Sequence, residues 1–269
     1  MGSGPDWGNG YYENFAPELV PAAERLVELA APQKGERAID LGCGTGNATV
    51  PLAASGAQVT AVDPSLRLLA IAAERVREEG LRITTSLGGA EQLPLPDRDA
   101  DLVISNFGVI FATDAEAALR ESLRVLAAGG RFLYSAWLPE GPISAVRDVM
   151  VAAAGSRVPD DVPGPLTDAP RPILWHDPSS FEHLIPGGTD AITVHHGAAT
   201  FTADSPRAWM EQQAGGHPVW LMVRDAIDDD AIWDGVIERG TEVLTAASTD
   251  GDRFSVDSPY VIVEIHPTR

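Results

Sequence analysis

Cysteine is almost missing: the chain of 269 residues holds one, Cys43. A lone thiol makes no internal disulfide, and a CxxC pair or a zinc framework is excluded with it. Basic residues are scarce as well. Against 39 Asp and Glu stand 19 Lys and Arg, a formal charge of −20. A protein that works along a phosphate backbone needs clustered cations, so no nucleic-acid partner is expected. Anionic membranes are disfavoured on the same ground. No apolar run reaches the roughly 18 residues a membrane span requires. The opening Met1-Gly2-Ser3-Gly4-Pro5-Asp6 has no basic-then-apolar signal layout. Together these absences predict a cytoplasmic protein. What is present, 44% hydrophobic residues, suits a folded chain that buries a sizeable core.

The pattern changes near residue 138. Before it, strand-like runs at 38–41, 58–63, 81–86, 101–105 and 130–137 alternate with helical stretches such as 65–79 and 115–126. That alternation predicts an open parallel sheet with crossover helices. An earlier helix, Pro21 to Ala31, has Pro at its first position. Ahead of it, Trp7, Tyr11, Tyr12 and Phe15 form an aromatic leader, readable as core packing or as a flap over a pocket. After 138, Pro159, Pro163, Pro165, Pro170, Pro172, Pro178 and Pro186 break the chain into loops. Asp177 and Pro178 mark a helix start, Ser205-Pro206 another, and 217–242 reads as one or two helices. Residues 191–201 and 260–265 read as two late strands. The expected division is therefore 1–137, lid and ligand-binding core, and 138–269, cap segments plus the last two strands of the same sheet.

Chemistry concentrates in Ile39-Asp40-Leu41-Gly42-Cys43-Gly44-Thr45-Gly46-Asn47, which closes a strand and opens a helix. Glycines let backbone turn tightly and approach a ligand. A dinucleotide loop wants its third glycine three residues after the second. Here Gly46 follows Gly44 by two, and Asn47 stands in the dinucleotide position. No Gly-Lys-Ser/Thr exists for a Walker loop. Asp40 would repel a pyrophosphate and suits a cationic ligand instead. Asp63, ending the second strand, can accept from both hydroxyls of a ribose, or cap the helix that follows. Pro64 and Leu68 are placed to flank an adenine ring.

With these residues the chain resembles the class I S-adenosylmethionine-dependent methyltransferases, in the small-molecule, menaquinone/ubiquinone-type subgroup. The resemblance covers about residues 30–137. It rests on Ile39 to Asn47, Val62-Asp63-Pro64-Ser65, Gly89 to Asp97, Asp101 to Asn106, and Ala117 to Phe132. It implies an α/β, Rossmann-like, mostly parallel seven-stranded sheet with an antiparallel last strand and a helical cap. The implied cofactor is S-adenosyl-L-methionine, leaving as S-adenosyl-L-homocysteine. Gly42 and Gly44 would hold its methionine portion and ribose, Asp40 would sit near its amine, and Asp63 would take the ribose hydroxyls. The Ala90 N–H would meet an adenine nitrogen, and the Ser105 carbonyl the methionine ammonium. Asn47, Glu91 and Asn106 complete the cofactor set. One position departs from the family. Gly89 stands where an Asp often accepts from the adenine amino group, leaving that task to water or to Glu91.

The implied reaction is methyl transfer to a small organic molecule, with O-methylation favoured. A non-methylating cyclisation or rearrangement on the same fold is the alternative. A monomer or homodimer is expected, with a small-molecule acceptor as partner. The Asn/Asp-Pro-Pro-aromatic signature of amino-group methylation is missing after the fourth strand, where Ser105-Asn106-Phe107-Gly108 stands. Methyl transfer depends chiefly on alignment, but a hydroxyl nucleophile also loses a proton. Of the six histidines, His176 and His217 in the cap are the candidate bases. The acid run Asp228-Asp229-Asp230 reads as a helix end, and no metal is expected.

Overall fold

A computed structural model of the chain describes residues 5–155, 173–248 and 253–268. The prolines Pro159, Pro163, Pro165, Pro170 and Pro172, and the opening Met1 to Gly4, lie outside the described residues. The first half alternates as its hydrophobic pattern demands: α1 (Val20–Ala30), β1 (Arg37–Leu41), α2 (Thr49–Ala54), β2 (Gln58–Asp63), α3 (Leu66–Glu78), β3 (Thr84–Leu87), β4 (Ala100–Asn106), α4 (Ala115–Arg124) and β5 (Leu126–Trp137). The second half adds α5 (Gly141–Ala154), β6 (Ile192–Ala203), α6 (Pro206–Ala214), α7 (Pro218–Ile227), α8 (Asp230–Ala247) and β7 (Phe254–Ile265). All seven strands form one sheet, in the order β3-β2-β1-β4-β5-β7-β6. The pairs among β1 to β5 are parallel, and β7 runs antiparallel between β5 and β6.

Local chemistry explains the element ends. Ser65 caps α3 by accepting from the Leu68 N–H, and Asp114 caps α4 by accepting from the Ala117 N–H. The third strand starts later than its apolar run suggests, because the Leu81 N–H donates to the Val76 carbonyl and keeps the chain folded onto α3. The 217–242 stretch is two helices. Asp228 breaks it in a left-handed conformation, with φ of 42°, and Asp229 caps α8 through the Ile232 N–H. Asp230 of the same run pairs with Arg224. The final strand begins at Phe254, earlier than expected, since β6 is long and its Ala203 pairs with Phe254.

Strands β1 and β4 are buried along nearly their whole length, as central parallel strands must be. In this order the chain reverses direction across the sheet between β1 and β4. Ligands in open α/β sheets bind at the carboxyl ends of strands at such a switch point. The glycine loop after Leu41, Asp63 after Val62, and Asn106 all lie at those ends.

Candidate active site

The glycine loop is built by close backbone approach. Gly42 has φ of +66°, and a Cβ there would stand 2.9 Å from the Gly108 Cα across the switch point. The Gly42 and Cys43 N–H groups both donate to the Val62 carbonyl, at 2.8 and 3.0 Å. The Gly44 N–H donates to Asp63 Oδ2 at 2.9 Å, and the Ser65 N–H to Asp63 Oδ1 at 2.8 Å. These bonds pin Asp63, 4% exposed, with lone pairs left for a ligand. Burial raises its pKa, against the pull of those two N–H donors. The capping alternative for Asp63 falls to Ser65, which holds α3.

Asp40 is deeper. It is buried, and its Oδ2 accepts from Thr49 Oγ1 at 2.5 Å. Its Oδ1 has no partner among the described residues. Burial pushes the carboxyl up to about 7, and nearby Asp63 adds to the shift. Both acids also help burial to raise the Cys43 thiol. A buried acceptor without a donor, beside a second acid, is an arrangement that a cationic ligand relieves. The donor set thus fits a sulfonium carrying an ammonium group and a ribose.

A cavity of about 920 Å³ runs from this loop into the second half of the chain. It gathers Gly42, Gly44, Asp63, Pro64 and Leu68 with Ala90, Glu91, Asn106 and His217. Asp40 and Asn47 line a narrow side crevice next to it, with Tyr12 and Cys43. Asn47 is engaged by the protein: its Nδ2 donates to the Ala16 carbonyl at 2.6 Å, and its Oδ1 accepts from Arg75 at 3.0 Å. Ser105 does not reach the cavity wall. It is fully buried, and its hydroxyl donates to the Leu41 carbonyl and accepts from the Val109 N–H. Asn106, one residue on, takes the wall position.

Gly89 lines the cavity as well, and a Cβ on it would stand 3.0 Å from Glu91 Oε2. The other Glu91 oxygen accepts from the Thr113 N–H and hydroxyl, both at 2.7 Å. Glu91 therefore holds a carboxylate oxygen where a side chain at position 89 would begin.

The two candidate bases fare differently, and both need correction. His176 does not line the cavity. It sits half-buried beside Trp175, whose carbonyl accepts from the Tyr134 hydroxyl in the core. Burial lowers its pKa. His217 does line the cavity, within an aromatic cage of Trp7, Tyr12 and Phe15. Its Nδ1, however, accepts from the Val219 N–H at 3.3 Å and caps α7. That bond leaves the proton of the neutral ring on Nε2, and burial holds the pKa down to about 4. His217 offers the cavity a hydrogen-bond donor, not a base.

The aromatic leader is both core and wall. Phe15 and Ala16 are buried, while Trp7, Tyr12, Phe15, Glu18 and Leu19 line the cavity. Arg67 of α3 holds the leader through the Gly8 and Gly10 carbonyls and the Glu13 carboxylate. The Tyr11 N–H donates to the Gly216 carbonyl on the other side. The far end of the cavity contains Trp137, Ser144, Trp209, Gln213 and Trp220. Of these, Trp209 comes from α6 and Trp220 from α7. Trp175 packs on Tyr134 elsewhere, and Trp233 backs Trp220 from behind. Glu18, Ser144 and Gln213 carried no sequence signal. The four-residue spacing of Trp209 and Gln213 on one helix face was the only hint available.

Sheet order, switch-point glycine loop and ribose-type acid together define a class I S-adenosylmethionine-dependent methyltransferase domain. Residues 39–134 match the methyltransferase domain family. Over 109 residues the chain is 43% identical to the ubiquinone/menaquinone biosynthesis C-methyltransferase UbiE of Rubrivivax gelatinosus, covering 40% of this chain and 42% of that one. It is 33% identical over 148 residues to the malonyl-[acyl-carrier protein] O-methyltransferase of Serratia marcescens, covering 55% of this chain and 56% of the relative. The chain thus spans about half the length of these curated relatives. Among solved structures, the YcgJ protein of Bacillus subtilis superposes with a TM-score of 0.61 at 16% identity, covering 93% of this chain and 99% of that one, which shows a shared fold. The domain's cofactor is S-adenosylmethionine. Among the described residues, no helix is long and apolar enough to cross a membrane.

Proposed function

We propose that the protein transfers the methyl group of S-adenosyl-L-methionine to an oxygen of a small organic acceptor. One observation carries this reading: a single cavity joins the glycine loop and Asp63 to the apolar end under Trp137, Trp209 and Trp220. When bound, the cofactor supplies an electrophilic methyl group on a sulfonium. The chain supplies position. Gly42 and Gly44 leave room for the ligand's backbone-like portion, and Asp63 accepts from hydroxyls. Asp40, through its unpartnered oxygen, answers the positive charge, directly or through water. Pro64 and Leu68 flank the ring plane, the Ala90 N–H donates to a ring nitrogen, and Glu91 Oε2 takes the amino-group contact that Gly89 cannot make. Apolar walls with few polar groups suit a small acceptor. The unpartnered Ser144 Oγ and Trp209 Nε1 suit one that bears oxygen. Orientation alone contributes on the order of 7–11 kcal/mol in such reactions.

The test is a screen of candidate acceptors with radiolabelled methyl donor. Wild type should label at least one small hydroxylated compound, and Gly44→Asp should label none. The new side chain would sit in a left-handed residue, 3.3 Å at its Cβ from Tyr12 and adjoining Asp63, so calorimetry should show donor binding abolished. A folded wild type that binds the donor yet labels nothing in a broad metabolite extract would overturn methyl transfer and favour the non-methylating alternative.

A further inference from the structure

The carboxylates that line the cavity are Asp63, Glu91, Asp114 and Glu18. Three of them are committed. Asp63 holds the Gly44 and Ser65 N–H groups, Glu91 holds Thr113, and Asp114 caps α4. Glu18 makes no ion pair among the described residues, and the one donor directed at it is the Trp209 indole N–H, which lowers its pKa against burial without meeting full hydrogen-bond geometry. It belongs to the short 3-10 helix Ala16–Leu19 that ends the leader. Asn47 bolts the Ala16 carbonyl of that helix to the glycine loop at 2.6 Å. Glu18, two residues further on, lines the cavity and faces Trp209.

Across from it the cavity offers unused polar groups. Trp209 Nε1 faces Glu18 but completes no hydrogen bond and is buried. Gln213, four residues further along α6, is 4% exposed, and its side-chain amide bonds to no described residue. A buried indole N–H only loosely engaged by the Glu18 carboxylate, with a buried amide left open beside it, makes a site that a ligand completes. The other ionisable groups at the cavity are occupied or weak. Arg147 pairs with Asp148 at 2.6 Å, His217 caps α7, and burial raises the Tyr12 phenol.

We propose that Glu18 accepts the proton of the acceptor's hydroxyl group, a phenol or enol, which the Trp209 indole N–H and the Gln213 amide hold against it. This rests on the oxygen-methylation reading above. In the step, the acceptor O–H bond breaks and its proton passes to the Glu18 carboxylate. The oxygen's freed pair forms the O–CH3 bond while the S–CH3 bond breaks and leaves its pair on a now neutral sulfur. Burial, slightly opposed by Trp209, holds the Glu18 carboxyl up to about 7, where a proton acceptor works well at neutral pH.

The experiment compares wild type with Glu18→Gln on a series of phenols of graded acidity. Donor calorimetry comes first and should give the same dissociation constant for both, showing that the variant is folded. On phenols that are neutral at the assay pH, E18Q should lose about 10²–10⁴-fold in kcat/KM. The wild-type rise of rate through about pH 7 should vanish with it. Phenols already ionised should be methylated by E18Q nearly as fast as by wild type. A readout without turnover uses a chromogenic phenol that ionises above Glu18. Bound to wild type it should ionise at higher pH than bound to E18Q, because a carboxylate opposes a phenolate. E18Q activity with unchanged rate and pH profile overturns the role of Glu18 and leaves methyl transfer standing. If wild type methylates no hydroxyl compound, the transfer reading falls. The probe then still decides whether Glu18 faces the ligand: no binding, or equal ionisation midpoints, overturns that too.

Discussion

At the glycine-loop end of the cavity, Asp63, Glu91 and Asp114 each accept hydrogen bonds from the protein itself. At the tryptophan end, Ser144 Oγ and Trp209 Nε1 find no full hydrogen-bond partner among the described residues, and Glu18 has only the loosely placed Trp209 indole N–H directed at it. Asp40 Oδ1 is the one exception at the first end, and it lies where a positive charge belongs. The loop end is finished before any ligand arrives, so its geometry follows from backbone and local bonds. The tryptophan end leaves these polar groups without a full protein partner among the described residues, and an unsatisfied buried group costs about 1–3 kcal/mol. That cost is recovered only when an acceptor with matching groups fills the space. One end is a fixed cradle, and the other is selective because it is incomplete.

The strongest way to break this contrast is at the finished end. Asp63→Ala removes the acceptor for two backbone N–H groups and for the ligand hydroxyls. Hydrogen bonds to a charged group are worth about 1.5–3 kcal/mol, so donor affinity should fall by roughly ten- to hundredfold. An unchanged dissociation constant by calorimetry would show that the loop end does not depend on its acid.

A smaller effect is expected at Glu18, on stability. Burial raises its carboxyl from 4.5 to about 7, so the folded chain binds this proton more tightly than the unfolded chain. Stability is then lost as pH climbs from 4.5 towards 7 and stays lost above. Glu18→Gln removes that loss. Its Tm should exceed that of wild type above pH 7 and match it below pH 4.5, as followed by circular dichroism. Equal melting at both ends of the range would place Glu18 in solvent.

The smallest effects concern the open donors. Trp209→Phe and Ser144→Ala each delete a buried polar group that completes no hydrogen bond among the described residues. Ser144→Ala should leave stability unchanged or raise it, by up to about 1–3 kcal/mol, while acceptor KM rises and donor affinity holds. A marked loss of stability would reveal a partner inside the protein and erase the difference between the ends.

The same contrast decides what sequence reasoning could reach. The loop Ile39–Asn47, Asp63 and Ala90 are short local words in a strand–turn–helix grammar, and strand ends of a parallel sheet converge wherever the order reverses. That made the fold and the loop end legible. Even there, the side chains of Ser105 and Asn47 are spent on Leu41, Val109, Ala16 and Arg75, which only three-dimensional neighbours reveal. The tryptophan end is assembled from the leader, β5, α5, α6 and α7, elements far apart in the chain. No local pattern marks Glu18, which looks like any acid at a helix entrance. His176 attracted notice for its place beside Trp175, and that tryptophan packs into the core of Tyr134 and Phe181. His217 lay in the right place, but its ring was already in use as a helix cap.

The leader bears on timing. It is clipped to α3 by Arg67 and to the α6–α7 junction by the Gly216 carbonyl, and it presents Tyr12 to one end of the cavity and Glu18 to the other. A wall shared by two ligands makes their arrivals interdependent, since whichever enters first fixes the surface that the second meets. The clips that hold this strap therefore bear on both ends of the cavity at once.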